Sequence, residues 1–124
     1  GCEIEMGDYS SIGAYCVLPN NIKIGKYVMM APEVHIVSDN HNFDDSNVLM
    51  CKQGSAKNHP YPIIEDDCWI GVRAIFTVGR HVKKGSIVAA GAVLTKDYPA
   101  YSIVGGNPAK LIRSRLKANN LESK

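Results

Sequence analysis

A histidine lies in a short run of small polar residues that a protein core does not need. The run SDNHNFDD covers residues 38–45 and contains His41. A neutral imidazole has a pKa of about 6.5, close to working pH, so it suits the removal of a proton from a substrate. Asp39 and Asn40 could bond this ring or a substrate, although turn residues also bond their own backbone. Because most loop histidines are merely exposed, the residues alone leave a base and a plain turn both open.

The other three histidines occupy positions that favour structural roles. His35 and His81 each end a six-residue repeat, where a polar side chain faces solvent or a neighbour. His59 stands between Asn58 and Pro60, near the end of the same polar segment as His41. His41 is therefore the strongest candidate for chemistry, and the elements that would position it come next.

Apolar residues recur every six positions in two blocks. The positions are Met6, Ile12, Leu18, Ile24, Met30 and Ile36, then Ile64, Ile70, Phe76, Val82, Val88 and Leu94. Helices repeat apolar residues at spacings of three and four, and simple strands at two, so neither explains a sixfold pattern in which Gly or Ala often follows the apolar residue. Three steps of six predict one coil of a three-faced prism, whose stacked coils pair as parallel strands about 4.8 Å apart. The expected fold class is all-β.

A second position of the repeat agrees with this prediction. A small residue commonly stands four places after each apolar site, where it would lie inside the corner of the prism. Ile22 and Arg80 depart from the pattern, which predicts two less regular corners.

A polar segment separates the two blocks of repeats. The spacing from Ile36 to Ile64 is not a multiple of six, so the frame of the repeat is broken there. The intervening residues are rich in Asn, Asp, Ser, Gly and Pro, so residues 38–62 are predicted to form a loop that leaves the prism. Loops of this length in compact domains are usually functional or disordered.

The six-residue spacing of apolar residues also ends after Leu94. Asn107 suits a helix N-cap and Pro108 the first helical position, so a helix is predicted over residues 108–117. This helix would bury three apolar residues, Leu111, Ile112 and Leu116. The predicted organisation is a repeat domain over residues 1–107 followed by a C-terminal helix and tail over residues 108–124.

Composition limits the classes of protein to which the chain can belong. Its 124 residues, 45% hydrophobic and 21% charged, fit one soluble domain. A net charge of +2 gives no argument for nucleic acid, and no apolar run approaches the roughly 20 residues of a membrane span. The start GCEIEMGD lacks the basic and apolar regions of a signal peptide. Four cysteines without a CxxC pair favour a reduced, cytoplasmic protein.

The repeats resemble the hexapeptide motif of the left-handed parallel β-helix acyltransferases. An aliphatic residue, then Gly or Ala, then a small residue occurs in full at the repeats that begin with Ile24, Ile70 and Val88. The segments EDDCWIG, LTKD and GGNPAK further resemble segments of the sugar O-acetyltransferases that decorate cell-surface polysaccharides. The resemblance implies a left-handed β-helix with a C-terminal capping helix, a homotrimer, acetyl-CoA as co-substrate and a saccharide acceptor.

The same resemblance implies roles for individual residues. His41 would be the general base of a direct transfer in a ternary complex, with Asp39 or Asn40 orienting it or binding the acceptor. The N–H of Val72 would face the oxyanion, a role with little side-chain signature. The other implied contacts are Trp69 and Gly71 near the thioester, Ala90, Gly91 and Thr95 along the pantetheine arm, and Lys96, Lys110 and Arg113 at the phosphates of coenzyme A.

Other interpretations of these residues stay open. Trp69 suits a subunit contact equally well, and the three basic residues suit plain solvated or capping roles. A non-catalytic β-helix scaffold is one alternative function. A zinc hydratase of the carbonic anhydrase type is another, but its close histidine pair is five positions apart, whereas His35 and His41 are six apart. No metal site is therefore expected, and the acceptor could carry a hydroxyl or an amine.

Overall fold

A computed structural model describes residues 3–117 of the chain. Within that range the elements, in chain order, are β1 Glu3–Met6, β2 Ser11–Ile12, β3 Asn21–Ile24, β4 Met29–Met30, β5 His35–Ile36, a 3-10 helix Met50–Lys52, β6 Ile63–Ile64, β7 Trp69–Ile70, β8 Ile75–Phe76, β9 His81–Val82, β10 Ile87–Val88, β11 Val93–Leu94, β12 Ser102–Gly106 and β13 Ala109–Ser114. The predicted all-β class is confirmed.

The strands form the three faces that the sixfold repeat predicts. Face 1 has the strand order β1-β3-β6-β9, face 2 has β2-β4-β7-β10-β12-β13, and face 3 has β5-β8-β11. Neighbouring coils pair in parallel, and Ile70 lies opposite Val88 of the next coil. Across the polar segment Ile24 lies opposite Ile64, so the whole loop is an insertion within one coil. The coils on either side of the loop therefore stack without a change of register.

The core is the column of sixfold residues inside the prism. From Ile24 to Leu94 every one of them is at most 4% exposed, and Phe76 is completely buried. Full burial of such a side chain contributes about 1.5–3 kcal/mol to folding. In the first coil Met6 is 45% exposed, because no coil of the described chain stacks on its other side.

The two corners that depart from the repeat are accommodated differently. Ile22 lies in β3 and is buried with the core. The guanidinium of Arg80 follows the wall of the prism, where it donates to the carbonyl of Thr95 at 2.7 Å and lies 3.7 Å from the carboxylate of Asp97. A long polar side chain is thereby held at a corner that elsewhere takes a small residue.

The polar segment forms a loop outside the prism, as predicted, and the loop has its own hydrogen bonds. Its two arms run antiparallel at His41 and Ser55. The N–H of Asn42 donates to the carbonyl of Gly54 at 2.9 Å, and the side-chain amide of Gln53 donates to two carbonyls across the tip. The loop that carries His41 is therefore a defined hairpin-like excursion.

The prediction of a C-terminal helix over residues 108–117 is wrong. β12 turns at Gly106, whose φ of +99° suits glycine, and returns as the antiparallel strand β13. Pairing with β13 satisfies the backbone groups at the outer edge of β12, which a helix would leave unpaired. Ala109 is buried while Leu111 and Ile112 are exposed. The predicted tail from residue 118 onward lies outside the described residues.

The described part of the chain has no helix long and apolar enough to cross a membrane. It also brings together no group of three or more His, Cys, Asp or Glu side chains that could hold a metal ion.

Candidate active site

An apolar groove lies on face 2, beside the corner that follows β7. Its volume is about 550 Å³, and its walls are Ala31, Trp69, Gly71, Val72, Ile87, Val88, Ala89, Ala90 and Ile103. The structure thus brings together four residues that the sequence analysis singled out: Trp69, Gly71, Val72 and Ala90. Long, thin apolar ligands suit such a surface because small residues line its floor.

The hexapeptide repeat builds this groove from stacked corners. Gly71 lies so close to the next coil that a Cβ there would meet the backbone nitrogen of Ala90 at 2.4 Å. Trp69 points outward from β7, in register with Met29 and Ile87 of the adjacent coils, and is 51% exposed. A glycine floor next to a tryptophan wall leaves the space between them open.

Two backbone N–H groups at the groove have no hydrogen-bond acceptor in residues 3–117. They belong to Val72 and Ala90, each the first central residue of a corner turn. The equivalent N–H groups at the corner between faces 1 and 2 are occupied in part, since Lys26 donates to the carboxylate of Asp66 at 2.8 Å and Lys84 to that of Glu65 at 3.1 Å. Two residues of the groove wall therefore carry donors without an acceptor, and a hydrogen bond from such a donor to a ligand is strong in apolar surroundings.

His41 is exposed on the excursion loop, and its ring is fixed by the loop itself. Its Nε2 lies within hydrogen-bond distance of the carbonyl oxygen of Met50 in the short 3-10 helix. A carbonyl can only accept, so Nε2 donates a proton to it and Nδ1 of the neutral ring keeps its lone pair. This arrangement leaves one ring nitrogen able to accept a proton from a substrate.

Asp39 is directed toward His59 rather than toward His41. Its carboxylate accepts the N–H of Asn40 at 2.8 Å and lies 3.4 Å from Nε2 of His59. The Asn40 N–H above all, and then Ser55 and His59, hold the pKa of Asp39 below its ordinary value of 3.8. The carbonyl of Asn40 accepts the N–H of Ala56 across the loop. The contacts of Asp39 and Asn40 thus shape the base of the loop.

The remaining residues expected at the coenzyme do not line the groove. Gly91, with a φ of +70°, donates to the carbonyl of Val72 at 2.9 Å and closes the corner. Thr95 accepts from Arg80, and the ammonium of Lys96 lies 5.7 Å from the ring centre of Tyr98. Lys110 and Arg113 are exposed on β13.

No residue of the loop 38–62 lines the groove either. One chain therefore holds the apolar groove and the candidate base in separate places. Sequence reasoning missed the carbonyl of Met50, which has no side-chain signature. It also missed Ala31, Ile87 and Ile103, whose stacking beside Trp69 follows from the register of successive coils.

Comparison with known proteins agrees with the repeat and the fold. A family model described as the hexapeptide repeat of succinyl-transferase matches residues 62–96. A maltose O-acetyltransferase structure from Clostridium difficile is 30% identical, with a TM-score of 0.79 over 92% of this chain. This chain is a hexapeptide-repeat β-helix. The resemblance seen in its sequence motifs is confirmed, and the matched structures are left-handed, as that resemblance implies.

Other proteins similar to this chain are also named as acetyltransferases. An acetyltransferase from Vibrio cholerae, solved in complex with acetyl coenzyme A, is 29% identical with a TM-score of 0.80 over 92% of this chain. A 2,3,4,5-tetrahydropyridine-2,6-dicarboxylate N-acetyltransferase from Staphylococcus aureus is 55% identical over 51 residues, 41% of this chain. A Schizosaccharomyces pombe protein, named as an acetyltransferase without a stated acceptor, is 38% identical over 74% of this chain.

The chain spans only part of each of these relatives. It covers 42% of the S. pombe protein and 21% of the S. aureus protein. Its coverage is 60% of the C. difficile chain and 61% of the V. cholerae chain.

Proposed function

We propose that this protein transfers an acetyl group from acetyl-CoA to a hydroxyl of a sugar or polysaccharide unit. The observation that carries the proposal is the apolar groove with two N–H donors, at Val72 and Ala90, that have no acceptor in the described chain. A thioester arm needs an apolar channel, and its reacting carbonyl needs a donor for the charge that develops in the transition state. The V. cholerae relative, solved with acetyl coenzyme A, supports the choice of co-substrate.

His41 is the general base of the proposed reaction. Nδ1 takes the proton of the acceptor hydroxyl while its oxygen attacks the acetyl carbonyl carbon, and the Met50 carbonyl holds the other ring nitrogen. The N–H of Val72 stabilises the resulting oxyanion. When the carbon–sulfur bond breaks, the imidazolium returns the proton to the departing thiolate. The products are an acetyl ester and a free thiol, and His41 ends neutral.

The environment of Cys68 favours direct transfer over an acyl-cysteine intermediate. Its thiol is buried next to the groove-lining strand β7 and donates to the carbonyl of Lys83 at 3.3 Å. Burial raises the pKa of Cys68 to about 11, so it stays protonated at neutral pH. Cys16 donates in the same way to the carbonyl of Ala31 at 3.2 Å. Cys68 is therefore not a ready nucleophile.

The separation of groove and base within one chain supports a site formed between copies. The groove takes no residue from the loop, and the loop reaches out from the prism to end in exposed side chains. In a homotrimer, His41 of one copy would reach the groove of the next. Closed rings of identical subunits are built from such repeated heterologous contacts.

Two classes of acceptor are candidates, a hydroxyl and an amine. The C. difficile relative is named for maltose, and the S. aureus relative for N-acetylation of 2,3,4,5-tetrahydropyridine-2,6-dicarboxylate. An amine acceptor is the second candidate, and the 55% identity over 51 residues favours it. A hydroxyl acceptor is favoured by the motifs outside the repeats, which resemble those of sugar O-acetyltransferases.

Titration with acetyl-CoA and an acceptor screen test this function. We expect calorimetry to give saturable binding of acetyl-CoA with a Kd of about 1 µM–1 mM, the range of common KM values. Thiol release from acetyl-CoA should then accelerate with a neutral sugar. A scaffold protein would bind no acetyl-CoA, and acceleration by amines alone would replace the hydroxyl acceptor with an amine.

A further inference from the structure

Two hollows meet at the base of the loop, away from the apolar groove. One, of about 330 Å³, is lined by Asn20, Asp39 and His59 among others. The second, of about 180 Å³, runs down face 1 past Glu5 and Lys23. Both hollows are lined by Asn21 and Tyr61, so they adjoin, and we call the two together the loop-base cleft. Its size falls in the usual range of ligand-binding clefts, about 300–1,000 Å³.

The chemistry of the loop-base cleft differs from that of the apolar groove. Its polar lining includes amides, carboxylates, a hydroxyl, an ammonium, an imidazole and a phenol. Tyr61 stands at the junction of the two hollows and is 62% exposed. A pyranose presents hydroxyls around its rim and C–H bonds on its face, so it matches an aromatic ring surrounded by planar hydrogen-bonding side chains.

The backbone holds Tyr61 ready for such a contact. Pro60 and Pro62 flank it and fix φ on both sides. The carbonyl of Pro62 accepts the N–H of Lys23 at 3.2 Å, and Pro62 itself is buried. Pro60 lies against Gly79, where a Cβ would meet its ring at 2.9 Å. A side chain on so stiff a segment loses little conformational entropy when a ligand binds.

The charge of the cleft favours neutral saccharides over acidic ones. Among the described residues, the cleft is lined by three carboxylates, those of Glu3, Glu5 and Asp39, and by one ammonium, that of Lys23. The N–H of Asn40 lowers the pKa of Asp39 and so favours its charged carboxylate. An acidic sugar would meet repulsion in this cleft, whereas a neutral one would find acceptors for its hydroxyls.

The cleft is joined to the candidate base through the loop. Asp39 lies two positions before His41, and His59, whose Nε2 is 3.4 Å from the carboxylate of Asp39, lies on the opposite arm. We propose that the loop-base cleft holds further units of a neutral polysaccharide, beyond the unit that is acetylated, and that Tyr61 stacks on one of them. This inference rests on the proposed function and names its substrate as a neutral oligomer rather than a free sugar.

Chain-length dependence of acetyl transfer tests the inference. The probes are tetrasaccharides of glucose, mannose, galactose and N-acetylglucosamine, each beside its monosaccharide, with the tetramer of sialic acid as the acidic probe. The wild type should give the best neutral tetrasaccharide a kcat/KM at least about tenfold above that of its monosaccharide, a ratio worth about 1.4 kcal/mol. Most of the difference should fall on KM, because the cleft contacts units that do not react.

Substitutions at Tyr61 separate stacking from general damage. Tyr61→Ala should lower the tetrasaccharide kcat/KM about tenfold, and Tyr61→Phe, which keeps the ring, should retain most of it. Tyr27→Ala is the matched control, because Tyr27 is 58% exposed and lies outside the cleft. Thermal melting of each variant checks the fold.

The outcomes distinguish this inference from the proposed function. Equal rates for monomer and tetramer in the wild type, an unchanged length dependence in Tyr61→Ala, or a preference for the sialic acid tetramer would each overturn the cleft assignment while acetyl transfer stands. Failure of every sugar to accelerate thiol release would overturn the proposed function, and the inference with it.

Discussion

Replacing His41 by alanine should reduce acetyl transfer by at least about 100-fold, the usual cost of losing a general base. The side chain is exposed and contributes one hydrogen bond, to the Met50 carbonyl, so the fold should persist. The measurement is the rate of thiol release from acetyl-CoA at saturating acceptor. Thermal melting and sedimentation show whether the variant is folded and assembled.

His35→Ala provides the control for this experiment. His35 is also exposed, but it lies on β5 of face 3 and outside the loop. Its replacement should change the rate by less than about twofold. Full activity in a folded His41→Ala protein would remove His41 from the reaction.

Replacing Val72 by proline should reduce kcat by about 100- to 1,000-fold, the range seen when an oxyanion donor is lost. The substitution removes the N–H and should keep the turn, because the chain already holds a proline at the same place in the adjacent coil. Pro32 stacks on Val72 in the register set by β4 and β7. The residues that follow them, Glu33 and Arg73, have φ values of 61° and 60°. Proline favours the first central position of such turns.

Ala14→Pro is the matched control for the Val72 variant. Ala14 takes the same turn position in the coil beyond Pro32, further from the groove. Tyr15, which follows it, has a φ of 61°. It is not part of the groove wall. If Val72→Pro keeps the wild-type kcat while its melting temperature matches that of the control, the oxyanion donor lies elsewhere.

The prism could be predicted from sequence because every six-residue repeat carries the same local requirements for inward-facing and corner residues. Ile70 must face inward and Gly71 must let the next coil approach, and the same requirement returns one coil later at Val88 and Ala89. A departure at one position, such as Arg80, does not hide a pattern that twelve apolar positions share. The register of the stacked coils survives the loop for the same reason.

The C-terminal segment was mispredicted because its structure depends on a partner strand. Asn107 and Pro108 read locally as a helix start, but β12 offers an open edge that only a strand can pair. Tertiary context of this kind outweighs a weak local preference in so short a segment. Lys110 and Arg113, expected on a helix, consequently lie on β13.

The candidate site was only partly predictable for a related reason. The motif around Trp69 and Gly71 points to one wall of the groove, but the donors there are backbone groups without a sequence signature. The Met50 carbonyl that holds His41 is also a backbone group without a sequence signature. The distance in sequence between Met50 and His41 is closed by hydrogen bonds within the loop, which no repeat encodes.

In the proposed site His41 of one copy serves the groove of another, and mixed assemblies of two variants test this directly. His41→Ala and Val72→Pro chains each carry one intact half of the site. When the two are assembled in equal amounts and at random, about one interface in four pairs an intact loop with an intact groove. We predict recovery to about a quarter of wild-type activity, and a mixture no more active than the mean of its two variants would contradict the account.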